Sequence, residues 1–177
     1  VESNFWFLRG HDPVFLTLAS MAEQVFAADP NTTLIKLRQL GEAFAKDLAG
    51  RAGLQVDERS SQADLIFQLS RELRLDPRIR ELFHVLRVEG NKATHGFATR
   101  HREAMDGLKV ARELAVWYHR AFGRDSADFK PGPFSPPSDP AAPLREVQAE
   151  VKQLQAQLDA ARKAHDESLQ LANLQQE

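Results

Sequence analysis

The chain has 177 residues, 42% of them hydrophobic, which supports one modest core plus an appendage and excludes a disordered chain. With 23 basic and 25 acidic residues, a formal charge of -2 excludes global attraction to nucleic acid or an anionic membrane and leaves only local basic faces. The cysteine count of 0 excludes a disulfide framework and a thiolate metal site, fits a reducing compartment, and makes the cytoplasm the expected location.

No apolar run approaches the roughly 20 residues of a membrane span, and the N-terminus lacks the basic start and apolar stretch of a signal peptide. A soluble chain without a membrane partner is expected. The sequence opens on Val1 and closes on Leu174-Gln175-Gln176-Glu177 without a helix stop signal, which reads as a piece of a longer protein.

Three Asp-Pro pairs, Asp12-Pro13, Asp29-Pro30 and Asp76-Pro77, each place an N-cap acceptor before a proline at the first helical position. They predict a helical bundle. The first helix, about 13 to 28, carries Val14, Phe15, Leu18, Met21, Ala22, Val25 and Phe26 at helical spacing. The second, about 30 to 50, continues through Leu34, Leu37, Leu40, Phe44 and Leu48, with Gly41 in mid-helix marking close packing. The third runs from Ser61 to Leu73 on Leu65, Ile66 and Leu69, and a fourth starts at Pro77. The fifth, Thr99 to Phe122, uses Ala104, Leu108, Ala111, Leu114, Ala115 and Tyr118. No segment shows the alternation of a strand.

Residues 1–123 therefore form the expected bundle and 124–143 a linker, since six prolines between Lys130 and Pro143 remove backbone donors and favour extended geometry. In 144–177, Leu144, Val147, Val151, Leu154 and Leu158 recur at alternating steps of three and four, the seam of a coiled coil that decays at His165 and Ser168. An isolated helix of this length is marginal in water, so the seam calls for a partner: a second copy or another subunit.

Chemistry concentrates where the fourth helix is expected to give way to the fifth. Arg87 offers a planar fork of donors, His95 exchanges a proton near neutral pH, and Asn91 shares a helical face with His95 if the helix continues. Gly90 supplies a permissive backbone just before them. Converging on a groove, Arg87, Asn91 and His95 can position and cleave an RNA phosphodiester. The simpler reading is that they hold helices together: Asn91 and Lys92 capping a turn, His95 bonded to a carbonyl, Arg87 paired with Glu89 or an acidic residue on another helix. Arg100, His101 and Arg102 form a basic patch able to touch phosphate, without interleaved aromatics to stack bases. Trp6, Phe7, Trp117 and His119 suggest a pocket or, more simply, core. The six histidines form no ligand-like set, so no metal is expected, and no phosphate loop or zinc pair is present.

Ser3-Asn4-Phe5-Trp6-Phe7-Leu8, His11-Asp12-Pro13, the run Asp29 to Glu42, and Leu86-Arg87 with Gly90-Asn91-Lys92-Ala93-Thr94-His95 together resemble a helical domain near the N-terminus of many type I restriction enzyme R subunits. The likeness covers residues 3 to 123. In that family a proline-rich joint and a helical coil lead on to the nuclease and an ATP-driven translocase. The resemblance thus implies an interaction or regulatory module of an ATP-dependent type I deoxyribonuclease. In that reading ATP, Mg and DNA contact belong to the longer chain, and no cofactor belongs to this one. The domain is in turn similar to the HEPN superfamily of all-α bundles, whose active members carry an arginine and, four to six residues on, a histidine, and cleave RNA. Here seven residues separate Arg87 from His95, so the resemblance carries over Asn91 and His95, with Arg87 as a displaced counterpart. The alternative function it implies is a metal-independent, dimeric ribonuclease or RNA-binding protein.

Overall fold

The computed structural model describes residues 2–57, 59–96, 99–124, 128–138 and 142–174. They form a short 3-10 helix, Trp6–Gly10, followed by α1 (Pro13–Val25), α2 (Pro30–Arg51), α3 (Gln62–Glu72), α4 (Pro77–Gly96), α5 (His101–Phe122) and α6 (Ala142–Leu174). Among the described residues there is no strand, and the fold is all-helical, as the periodicities predict. Among the described residues no helix is long and apolar enough to cross a membrane.

The Asp-Pro starts act as their chemistry dictates. Asp12 accepts from the Val14 amide at 2.9 Å, Asp29 from Thr32 at 3.0 Å and Asp76 from Arg78 at 2.7 Å, each satisfying an orphan donor of a first turn. Thr32 also binds Asp29 through its hydroxyl, and these bonds hold the carboxyl below its ordinary range. Ser61 and Asp64 close a reciprocal capping box on α3. The first helix stops at Val25 rather than 28: its end tightens to i→i−3 bonds, the Phe26 amide to the Glu23 carbonyl at 3.4 Å and the Ala28 amide to the Val25 carbonyl at 3.1 Å, before α2 begins at Pro30.

The chain divides into two compact units, Val1–Ser138 and Asp139–Glu177. In the first, α2 is the central helix, packing against α1, α3, α4 and α5. Its Leu34, Leu37, Leu40, Phe44 and Leu48 are buried. Phe44 lies between Phe15, at 4.7 Å, and Tyr118, stacked at 4.6 Å. The Tyr118 hydroxyl ends on the Asp47 carboxylate, which also takes Arg51 at 2.5 Å, so a wholly buried phenol keeps a partner.

Two glycines decide how closely helices approach α2. A Cβ at Gly90 would lie 2.4 Å from Arg38 Cβ and 3.0 Å from the Leu34 carbonyl oxygen, and one at Gly107 2.5 Å from Leu34 Cδ2. Leu34 is thus gripped by glycines of α4 and α5. Gly41 differs from expectation: a Cβ there would meet Leu86 Cδ1 at 3.5 Å, ordinary contact rather than obligatory closeness.

The proline-rich run also departs from a free linker. Asn4 exchanges two 2.7 Å bonds with the Ser135 backbone, donating to its carbonyl and accepting from its amide. Arg112 donates to the carbonyls of Pro131 at 2.6 Å and Gly132 at 2.9 Å. Pro131 lacks an N–H but keeps its acceptor, and the bundle uses that carbonyl alongside the backbone of the neighbouring Gly132 and Ser135. Phe129 and Phe134 pack against the core, so residues 128–138 belong to the first unit.

In the second unit α6 is one continuous helix that passes His165 and Ser168, where the seam decays. Val147, Val151, Leu154 and Leu158 are all about half exposed or more, from 47% to 56%. The side chain of Leu144 lies outside the described residues.

Candidate functional site

The helix junction expected within 87–95 lies later in the chain. α4 runs unbroken through Gly96, because Gly90 faces inward on α2 and is required for packing rather than for a turn. The unbroken helix sets the geometry of the polar cluster. Arg87, Asn91 and His95 follow one another at four-residue steps and share one face, with Asn91 half-buried and His95 exposed. At 1.5 Å per residue, Arg87 and His95 are about 12 Å apart along the axis. The Arg87 guanidinium turns the other way, its Nη2 lying 3.4 Å from Nδ1 of His84 one turn back. The three groups do not converge within one chain.

Among the described residues no hydrogen bond or ion pair ties Arg87, Asn91 or His95 to another helix. Lys92, not Arg87, pairs with Glu89, at 2.7 Å, and Thr94 bonds the Gly90 carbonyl of its own helix at 2.9 Å. The anchor between helices is Asn31 at the start of α2. It donates to the Ala93 carbonyl at 2.6 Å and accepts from the Thr99 hydroxyl at 2.6 Å, tying the end of α4 to the approach to α5. The histidine that meets a backbone carbonyl is His101, with Nε2 3.1 Å from the Ala27 oxygen and its ring edge-on to Phe26. Of the basic patch, His101 is therefore turned inward, while Arg100 and Arg102 remain exposed.

Two residues join this face that the motif reading passed over. Arg80 and His84 precede Arg87 at steps of four and three, so Arg80, His84, Arg87, Asn91 and His95 form one stripe about 22 Å long. Counting helical steps forward from Asp76-Pro77 would have found them. Among the described residues Arg80 and Arg87 have no carboxylate within salt-bridge distance. The stripe can offer donors to a string of anionic groups, and it has no general acid and phosphate ligand meeting at one point.

Comparison with known proteins fits this segment. The profile of a domain of unknown function, DUF4145, matches residues 20–116. The chain belongs to the DUF4145 family. Over 124 residues it is 39% identical to the type I restriction enzyme EcoKI endonuclease subunit of Escherichia coli (strain K12), a match covering 70% of this chain and 10% of that protein. The chain thus spans about a tenth of that relative's length. No solved structure matches. The stripe on α4 and the two glycines gripping Leu34 all lie inside the DUF4145 segment.

A second cluster lies outside it. Nε2 of His11 and Nδ1 of His119 are 2.9 Å apart, though 108 residues separate them in sequence. Burial pushes the His11 imidazole below its ordinary value, His119 and Arg51 push the same way, and Asp47 opposes them. Trp6, Phe7 and Phe129 pack around the pair, with Phe7 5.4 Å and Phe129 4.4 Å from the His119 ring. Trp6, Phe7 and His119 thus do border a cavity, whereas Trp117 packs on Phe122. No short motif could signal a pair so distant in sequence.

Proposed function

We propose that this DUF4145 chain is an interaction or regulatory module, without catalytic residues of its own, of a type I restriction endonuclease R subunit acting in defence against foreign DNA. The observation that carries the non-catalytic half is the direction of Arg87, toward His84 and away from His95 on an unbroken helix. Similarity to the EcoKI endonuclease subunit over a tenth of its length supports the assembly half. In this reading ATP and Mg serve the translocase of the longer protein, through which DNA is engaged. The exposed seam of α6, from Val147 to Leu158 and including Leu144 by its spacing, docks on another subunit or a second copy.

Labelled RNA incubated with the purified chain in chelator should stay intact, and His95→Ala should change nothing. Cleavage that His95→Ala abolishes overturns the reading in favour of a HEPN-type ribonuclease. For the seam, sedimentation should show concentration-dependent association of the chain that Leu154→Glu removes. A strict monomer at high concentration would assign the seam to a different subunit.

A further inference from the structure

The cavity beside His11 and His119 has a volume of about 310 Å³, within the range of small-ligand pockets. Three flat rings wall it: Trp6, Phe7 and Phe129, with Trp6 6.1 Å and Phe7 5.0 Å from Phe129. Arg9 and Arg124 supply its fixed charges, and no carboxylate is among its described lining residues. The imidazole pair supplies two further protonatable groups. With 2.9 Å between the ring nitrogens, one must donate and the other accept, so the contact holds a single proton.

The local backbone is shaped around this pair. A Cβ at Gly123 would lie 2.5 Å from the His119 carbonyl oxygen and 2.8 Å from Cε1 of its ring, so glycine lets both the carbonyl and the ring lie against the turn that ends α5. The Gly123 amide donates to the His119 carbonyl at 2.6 Å and fixes that turn. Arg9 is engaged by Glu2 at 3.2 Å, but both side chains are largely exposed, and such a pair contributes little that an incoming anion would have to displace.

We propose that this cavity binds a small phosphate monoester whose ester group is a flat ring. The ring stacks against Trp6 and Phe129, and the phosphate lies among Arg9, Arg124 and the imidazole pair. Aromatic walls with half-exposed Trp6 at the rim suit a flat apolar body, since stacking on such faces tolerates many ring types. A phosphate monoester suits the charges: it approaches a dianion at neutral pH and accepts from two guanidinium forks together, where a carboxylate has one charge and two oxygens. The site lies outside the segment matched by the DUF4145 profile and does not depend on the restriction reading.

The test titrates the 177-residue chain with phenyl phosphate, adenosine 5′-monophosphate and inorganic phosphate, reading heat and the imidazole resonances of His11 and His119 by NMR. Phenyl phosphate should shift both resonances, and inorganic phosphate should bind at least about tenfold more weakly, having no ring to stack. Arg124→Gln, an exposed change that leaves the fold intact, should weaken binding about tenfold by removing one charged donor. Trp6→Ala should weaken it similarly. Tighter binding of the adenosine ester than of phenyl phosphate supports the proposal and identifies a nucleotide as the source of the ring. Binding of neither ester, equal binding of inorganic phosphate, or undiminished binding by Arg124→Gln would overturn it.

Discussion

The two sides of α4 carry the same helix into opposite circumstances. On the inner side Ile79, Leu82, Phe83, Leu86 and Gly90 are buried, and one glycine sets how near α2 can come. On the outer side Arg80, His84, Arg87, Asn91 and His95 are spread along the axis, with Arg87 beside His84 and, among the described residues, neither Arg80 nor Arg87 within salt-bridge distance of a carboxylate. The densest gathering of reactive residue types in the sequence is therefore not a meeting point. What makes a site is convergence from different elements, as at His11 and His119, and regular helix geometry works against it for residues four apart.

The glycines give the sharpest way to break that contrast. Gly90→Ala should destabilise the chain by about 2 kcal/mol, because a methyl driven against Arg38 Cβ and the Leu34 carbonyl outweighs the helix propensity gained. Gly41→Ala should instead stabilise by about 0.5 kcal/mol, since its methyl reaches Leu86 at ordinary contact. Chemical denaturation of both variants reads the difference. Equal effects would mean that α4 does not need Gly90 for its approach.

The next effect is a pH dependence arising from the packed histidine cluster. Burial lowers the His11 imidazole from its ordinary 6.5 in the folded chain. Above that value both states are neutral and His11 adds no slope. As pH falls below it, the unfolded chain takes up a proton that the folded chain refuses, so stability declines until the folded imidazole also protonates. The groups facing it, His119, Arg51 and Asp47, modulate that decline. His11→Gln should flatten the corresponding part of a Tm against pH curve, and an unchanged curve would remove His11 as its cause.

The smallest effect belongs to the outer face. Arg87→Ala and His95→Ala should each change stability by less than about 0.5 kcal/mol, since His95 is exposed and the half-buried Arg87 makes only a long 3.4 Å contact with His84 of its own helix. A loss of more than about 1 kcal/mol at either would show a packing role that the geometry does not contain.

Much of the bundle could be read before any coordinates. Aspartate before proline is a local device, complete within four residues, and the apolar stripes of α1, α2, α4 and α5 follow from a period of 3.6. The end of α1 and the junction after α4 depart from the periodicity, the one because the last turn tightens after Val25 and the other because Gly90 packs on α2 inside a continuous helix. The candidate site was legible only in part. Asn91 and His95 sharing a face follows from spacing, but the swing of Arg87 toward His84 does not. That Asn31 rather than Asn91 ties the helices also needed the fold, since its partners Ala93 and Thr99 are 62 and 68 residues away.

The sequence by itself determined an all-helical chain, its helix starts, its apolar faces and the α6 seam, because these depend on interactions among residues within a few turns of each other. Only the tertiary structure decided that Gly90 is a packing position, that Pro131 and Ser135 are held by Arg112 and Asn4, and that His11 reaches His119. Each of those depends on two distant segments arriving at one place, and local periodicity carries no information about which segments those are.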